Sequence, residues 1–170
     1  MFGRKSKSNT EKEQPAGNLL GRILLVVDGS EPSIAAAHFA VQLAVQAGAE
    51  LVAVYVVDTA TMDYLLQMHI FIDEERREFE NDLERTGGRY LDYVSAVAAK
   101  QQIEVETVQL RGPFHQTILK VARQRNVNAI VLGGWRRTVT RKDATSVERQ
   151  LVLDEADCPV IVVKAEARNK

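Results

Sequence analysis

The residues best suited to chemistry are concentrated between Val131 and Glu148, VLGGWRRTVTRKDATSVE. An apolar run gives way there to Gly133, Gly134 and Trp135, then to Arg136, Arg137, Arg141 and Lys142 among Thr138, Thr140 and Thr145. Guanidinium forks match phosphate or carboxylate oxygens two at a time, so this set could grip an anion through side chains alone. Arg and Trp are also enriched where proteins meet, so Trp135, Arg137, Arg141 and Lys142 equally suit an acidic or other protein partner. A third reading is a solvated loop with Trp135 folded back on the core.

Elsewhere the chemistry is sparse. His38, His69 and His115 show neither H-x-x-x-H nor H-E-x-x-H spacing, so packing or surface roles are expected and a metal site is not. The single cysteine, Cys158, excludes an internal disulfide and a cysteine zinc cluster. It precedes Pro159 and an apolar run with no nearby base, which reads as a small hydrophobe rather than a nucleophile. Asp28 and Asp58 each close an apolar run and could meet at one end of a sheet. With no nucleophile or metal ligand beside them, binding is expected of them rather than acid–base work.

The elements that must position these groups alternate in type. Ile23 to Val27 and Leu51 to Val57 are unbroken branched-apolar runs, as expected of strands buried on both faces. Ser30, Glu31 and Pro32 supply a helix start for an alanine-rich helix over Ser33 to Ala47, stopped by Gly48. Met62 to Ile72 reads as a short apolar helix or lid. Asp73 to Lys100 reads as a long amphipathic helix with Phe79, Leu83, Tyr90, Val94 and Val97 on its apolar face. Gly87 and Gly88 cost that helix about 1 kcal/mol each relative to alanine, so a kink or break is expected there. Val105 to Leu110 has the polar interleaving of an edge strand, and Gly112 and Pro113 lead into a helix bearing Ile118, Leu119, Val121 and Ala122. A fourth strand over Ala129 to Leu132, a helix over Ser146 to Glu155 and a fifth strand over Val160 to Val163 complete the series. Strand and helix in alternation demand parallel crossovers, hence an α/β fold: a doubly wound, mainly parallel sheet of five strands with helices on both faces.

At 170 residues the chain has room for one core, and 45% hydrophobic with 26% charged residues is an ordinary globular balance. A formal net charge of -1 gives no overall pull toward nucleic acid or membrane, so any anion binding must be local. Residues 1–21 have the composition of a disordered leader, 22–166 form the α/β domain and 167–170 a short tail. Ser6, Ser8 and Thr10 beside Arg4, Lys5 and Lys7 could be modified or touch an acidic surface, although a solvated leader is the simpler reading. The opening residues lack the apolar core of a signal peptide. The apolar Ile34 to Val57 region is broken by His38, Gln42, Gln46, Gly48 and Glu50 and cannot span a bilayer, so cytoplasm is the default expectation.

The first strand ends in DGSEPS, which excludes the dinucleotide fingerprint G-x-G-x-x-G, and no P-loop is present. A receiver domain is disfavoured because the third strand runs out as Gln109, Leu110, Arg111 and Gly112, without a carboxylate. In order, ILLVVDGSEPSIAAAHFAVQLAVQAGAELVAVYVVD, GPFHQTILKVARQRNVNAIVLGG and CPVIVVK resemble the universal stress protein family, over about Arg22 to Lys164. The resemblance implies strand order 3-2-1-4-5, with the switch point between the first and fourth strands. In the nucleotide-binding branch, ATP is held by G-x-x-G-x9-G-[ST] after the fourth strand, by an Asp ending the first strand and by backbone near the end of the second. Those positions fall on Gly133, Arg136, then Ser146 and Val147 without gaps or Thr145 and Ser146 with a one-residue deletion, on Asp28 beside Val27, and on Val56. Two of the three glycines are therefore replaced. Backbone N–H groups can cradle phosphate only where side chains stay clear, although Gly134 adjoins Gly133 and could restore some of that freedom.

These readings give a cytoplasmic stress-response regulatory or adaptor protein acting by binding and dimerisation, with no stably bound ATP and no other cofactor. The alternative is an ATP or AMP switch with weak ATPase activity, using Asp28, the Val56 backbone, Gly133 and the 135–146 loop. A homodimer is expected through Val160, Ile161, Val162 and Val163, because an apolar edge strand without alternation is otherwise an aggregation hazard. The resembled family commonly pairs this way.

Overall fold

A computed structural model describes residues 17–70, 72–135 and 144–165. In chain order the elements are β1 (Arg22–Val27), α1 (Glu31–Ala47), β2 (Glu50–Asp58), α2 (Thr59–Gln67), α3 (Asp73–Lys100), β3 (Val105–Gly112), α4 (Phe114–Gln124), β4 (Ala129–Gly133), α5 (Ala144–Glu155) and β5 (Val160–Val163). The five strands form one sheet in the order β3-β2-β1-β4-β5, every neighbouring pair parallel, as the alternation demands. Helices cover both faces. Side chains from alternate strand positions face α1 and α3 on one side, and the others face α4 and α5 on the opposite side.

The central strands are buried on both sides: Ile23, Leu24, Leu25, Ala129, Ile130 and Val131 are all fully inaccessible. This is why β1 and β4 read as unbroken apolar runs, whereas edge strand β3 keeps Glu106 and Gln109 outside the core. Ser30 caps α1, its hydroxyl accepting from the Ser33 N–H at 3.3 Å, with Pro32 in the first turn. Ala36, Ala37, Ala40 and Ala44 then let that helix lie flat on the sheet.

The long helix differs from expectation. It runs unbroken from Asp73 to Lys100, through Gly87 and Gly88. A Cβ on Gly87 would enter the ring of Tyr55 on β2, so the first glycine lets helix and sheet approach and does not interrupt the helix. Tertiary packing outweighs the local propensity cost. Of the expected apolar face, Val94 is buried and Leu83, Tyr90 and Val97 pack partly buried against the core beside Gly87, Leu91 and Ala98, while Phe79 is exposed. The expected apolar segment of residues 62–72 contributes the shorter helix α2, with Met62 buried and Tyr64, Met68, Ile70 and Ile72 exposed.

Candidate functional site

Parallel sheets bind ligands beyond the carboxyl ends of their strands, at the point where the strand order reverses. Here that point lies between β1 and β4. Their pairing runs from Ile23 opposite Ala129 to Leu25 opposite Val131, and the last residues of both strands continue beyond it. On the other flank, β1 pairs with β2 as far as Val27 opposite Tyr55, so Val56, Val57 and Asp58 project past that ladder. Val27 and Val56 are buried, and Asp28 follows directly from β1.

Asp28 is held on several sides. Its N–H donates to the Ser33 hydroxyl at 3.0 Å, and Oδ1 accepts the Ser30 N–H at 2.8 Å. Its other oxygen, Oδ2, accepts from the Arg149 guanidinium of α5. Arg149 is only 9% exposed and lies over the Phe114 ring, its guanidinium carbon 5.1 Å from the centroid. Burial pushes the Arg149 pKa below the usual arginine range, an effect opposed physically by the adjacent carboxylate that favours the charged form. The neighbouring Glu148 accepts the His115 N–H at 2.9 Å and meets His115 Nδ1 at 2.7 Å. Consecutive residues of α5 therefore clasp the end of β1 and the start of α4.

Asp58 caps α2, its Oδ1 accepting the Ala60 N–H at 3.0 Å. Asp28 pairs with Arg149 of α5, a residue outside the sequence-based candidates.

Gly133, which ends β4, and Gly134, which follows it, are both engaged by the fold. A Cβ on Gly133 would stand 2.5 Å from the carbonyl carbon of Pro32 and from the Ser33 nitrogen, so the end of β4 touches the first turn of α1. Gly134 donates its N–H to the Val163 carbonyl at 2.7 Å, extending the contact with β5. Trp135 is half-buried and packs against the core face shared by α4 and α5. Ser146 is half-buried and Val147 exposed near the start of α5, whose first residue is Ala144. Arg136, Arg137, Arg141 and Lys142, with Thr138 and Thr140, lie outside the described residues. Among the described residues no group of three or more His, Cys, Asp or Glu side chains could hold a metal ion, and no helix is long and apolar enough to cross a membrane.

The family model for the universal stress protein family matches residues 20–164, most of the chain and every element of the sheet. The chain belongs to the universal stress protein family. A universal stress protein of Methanocaldococcus jannaschii is 27% identical over 147 residues, covering 86% of this chain and 84% of its own. Among solved structures, a universal stress family protein from Burkholderia pseudomallei superposes with a TM-score of 0.65 at 25% identity, over 86% of this chain and 98% of that one. A universal stress protein of Archaeoglobus fulgidus, solved in complex with dAMP, shares the fold at a TM-score of 0.56 and 19% identity, over 85% of this chain and 98% of that one.

Proposed function

We propose that this universal stress protein is a regulatory or adaptor protein that works through protein contact and self-pairing and does not hold ATP stably. The observation carrying the reading is that the glycine pair at the end of β4 is spent within the chain: Gly133 on contact with Pro32 and Ser33, Gly134 N–H on the Val163 carbonyl. An N–H already donated to a carbonyl is a poor phosphate ligand, and the positions that would continue the cradle carry Arg136 and Ser146 or Thr145 in place of glycine. The basic residues Arg136, Arg137, Arg141 and Lys142 then serve to dock an acidic partner or anion, an interaction that weakens steeply with salt.

The competing reading is an ATP or AMP switch with weak ATPase activity, built on Asp28, the Val56 backbone, Gly133 and residues 135–146. It is favoured by the Archaeoglobus fulgidus relative in complex with dAMP. Analysis of the purified protein for co-bound nucleotide, followed by ATP and AMP titration calorimetry, separates the two. The regulatory reading expects no co-purified nucleotide and no saturable heat below millimolar concentration. Stoichiometric ATP binding at micromolar affinity contradicts it.

A further inference from the structure

At the switch point the Asp28 carboxylate is not open, because the chain places its own cation against it. Arg149 presents a flat, N–H-bearing group to the Asp28 carboxylate and rests on the face of Phe114, largely shielded from solvent. An acceptor carboxylate opposite an aromatic face is also what an amino-bearing nucleobase would use. The exocyclic amine of adenine would donate to the carboxylate as a guanidinium N–H does, and its ring would lie on the Phe surface. A guanidinium and an amino-substituted base are both planar, donate to the same oxygen and stack on the same ring, so one excludes the other.

We infer that Arg149 is a built-in plug that occupies the base-binding position of the crevice and sets its specificity against adenosine-type ligands. The inference rests on the reading that this protein does not hold ATP stably, and it assigns the base end of that refusal to one side chain. The base end is separable from the phosphate end, since adenosine carries no phosphate to meet the altered loop.

The plug is positioned by two independent elements. Its partner Asp28 is fixed by Ser30 and Ser33 at the start of α1, and the helix turn bearing Arg149 is tied to α4 through Glu148 and His115. Replacing Arg149 with alanine uncovers the Phe114 ring and frees Oδ2 of Asp28 as an acceptor at the same time.

Adenosine titration of wild type, Arg149→Ala and the double variant Asp28→Asn/Arg149→Ala tests this, with purine riboside as the control and thermal melting as the check on folding. The double variant removes both charges together, a change that buried ion pairs commonly tolerate. Wild type is expected to bind adenosine at least tenfold more weakly than Arg149→Ala. The double variant should fall between them, because the Asn side-chain carbonyl still accepts. Purine riboside, which lacks the exocyclic amine and carries no N1–H, can stack but cannot donate to Asp28 and should gain several-fold less than adenosine in Arg149→Ala. If either folded variant binds adenosine no better than wild type, or if purine riboside gains as much as adenosine, the plug is overturned while the regulatory reading stands. Micromolar ATP binding by wild type would instead remove the reading on which the plug rests.

Discussion

Gly133 tolerates no side chain, because a Cβ would stand 2.5 Å from the backbone of Pro32 and Ser33. Gly133→Ala must push β4 and α1 apart, and overpacking of this kind costs about 1–3 kcal/mol. Urea denaturation should report a loss in that range, and a change within about 0.5 kcal/mol, the ordinary surface scatter, would show that the contact is slack. Cys158 behaves oppositely to a reactive thiol: burial first, and then the nearby Asp157 charge, push its pKa up. The thiolate is scarcer at neutral pH than in free cysteine, so reaction with a disulfide reagent should be slower than for free cysteine and accelerate only under alkaline conditions. A rate above that of free cysteine at pH 7 would refute the assignment. Gly133 was visible in the sequence as a glycine, but its reason was not, since its neighbours Pro32 and Ser33 are far away in the chain. Arg149 did leave a trace: it falls three residues before Val152, on the same face of α5, and Val152 is fully buried. A charged residue on a core-facing stripe signals a buried partner, but only the fold names that partner as Asp28.

At the scale of elements, α3 is tied to the end of β3 by ions. Glu80 is buried and accepts from Arg76 Nε at 2.8 Å and from Arg111 Nη1 at 3.1 Å, and Arg111 Nε reaches Glu84 at 2.6 Å. The Arg76 hydrogen bond, followed by the Arg76 and Arg111 charges, holds the Glu80 carboxyl below its usual range despite burial. A depressed carboxylate contributes stability that is present above the unfolded-state pKa of about 4.3 and disappears as pH falls through the lower folded-state value. Glu80→Gln should therefore cost about 1–3 kcal/mol at pH 7, a loss typical of a charge-assisted buried contact. Melts compared between pH 7 and pH 3 should show the wild-type advantage shrinking in acid. An advantage that grows in acid would reverse the sign and reject the assignment. The same helix shows where local propensity falls short: Gly87 and Gly88 read as an interruption, yet the space Gly87 spares at Tyr55 is part of how α3 packs, while a Cβ on Gly88 would meet nothing. Gly87→Ala should accordingly destabilise the protein, even though alanine is the better helix former by about 1 kcal/mol. Equilibrium unfolding checks this, and a stabilised variant would mean that Tyr55 moves aside freely.

For the whole molecule, the alternation of buried apolar runs with amphipathic stretches was enough to specify a parallel α/β sheet, and β5 falls at the expected Val160 to Val163. Periodicity is local, so it located elements well. Pairings between residues distant in sequence, such as Asp28 with Arg149 and Gly134 with Val163, were out of its reach. The strand order 3-2-1-4-5 came from the family resemblance, and it leaves β5 at a sheet edge with Val160, Ile161, Val162 and Val163 all half-buried in the single chain. Pairing that edge with a second copy would complete its hydrogen bonds and give a self-complementary two-fold contact. The central claim, that the protein acts by pairing with itself and with partners and not by loading nucleotide, is tested most directly by sedimentation velocity of wild type and Val162→Lys, each with and without millimolar ATP. Wild type should sediment as a dimer whether or not ATP is present, and Val162→Lys as a folded monomer. A dimer that forms only with ATP, or a folded Val162→Lys that remains dimeric, would contradict the account.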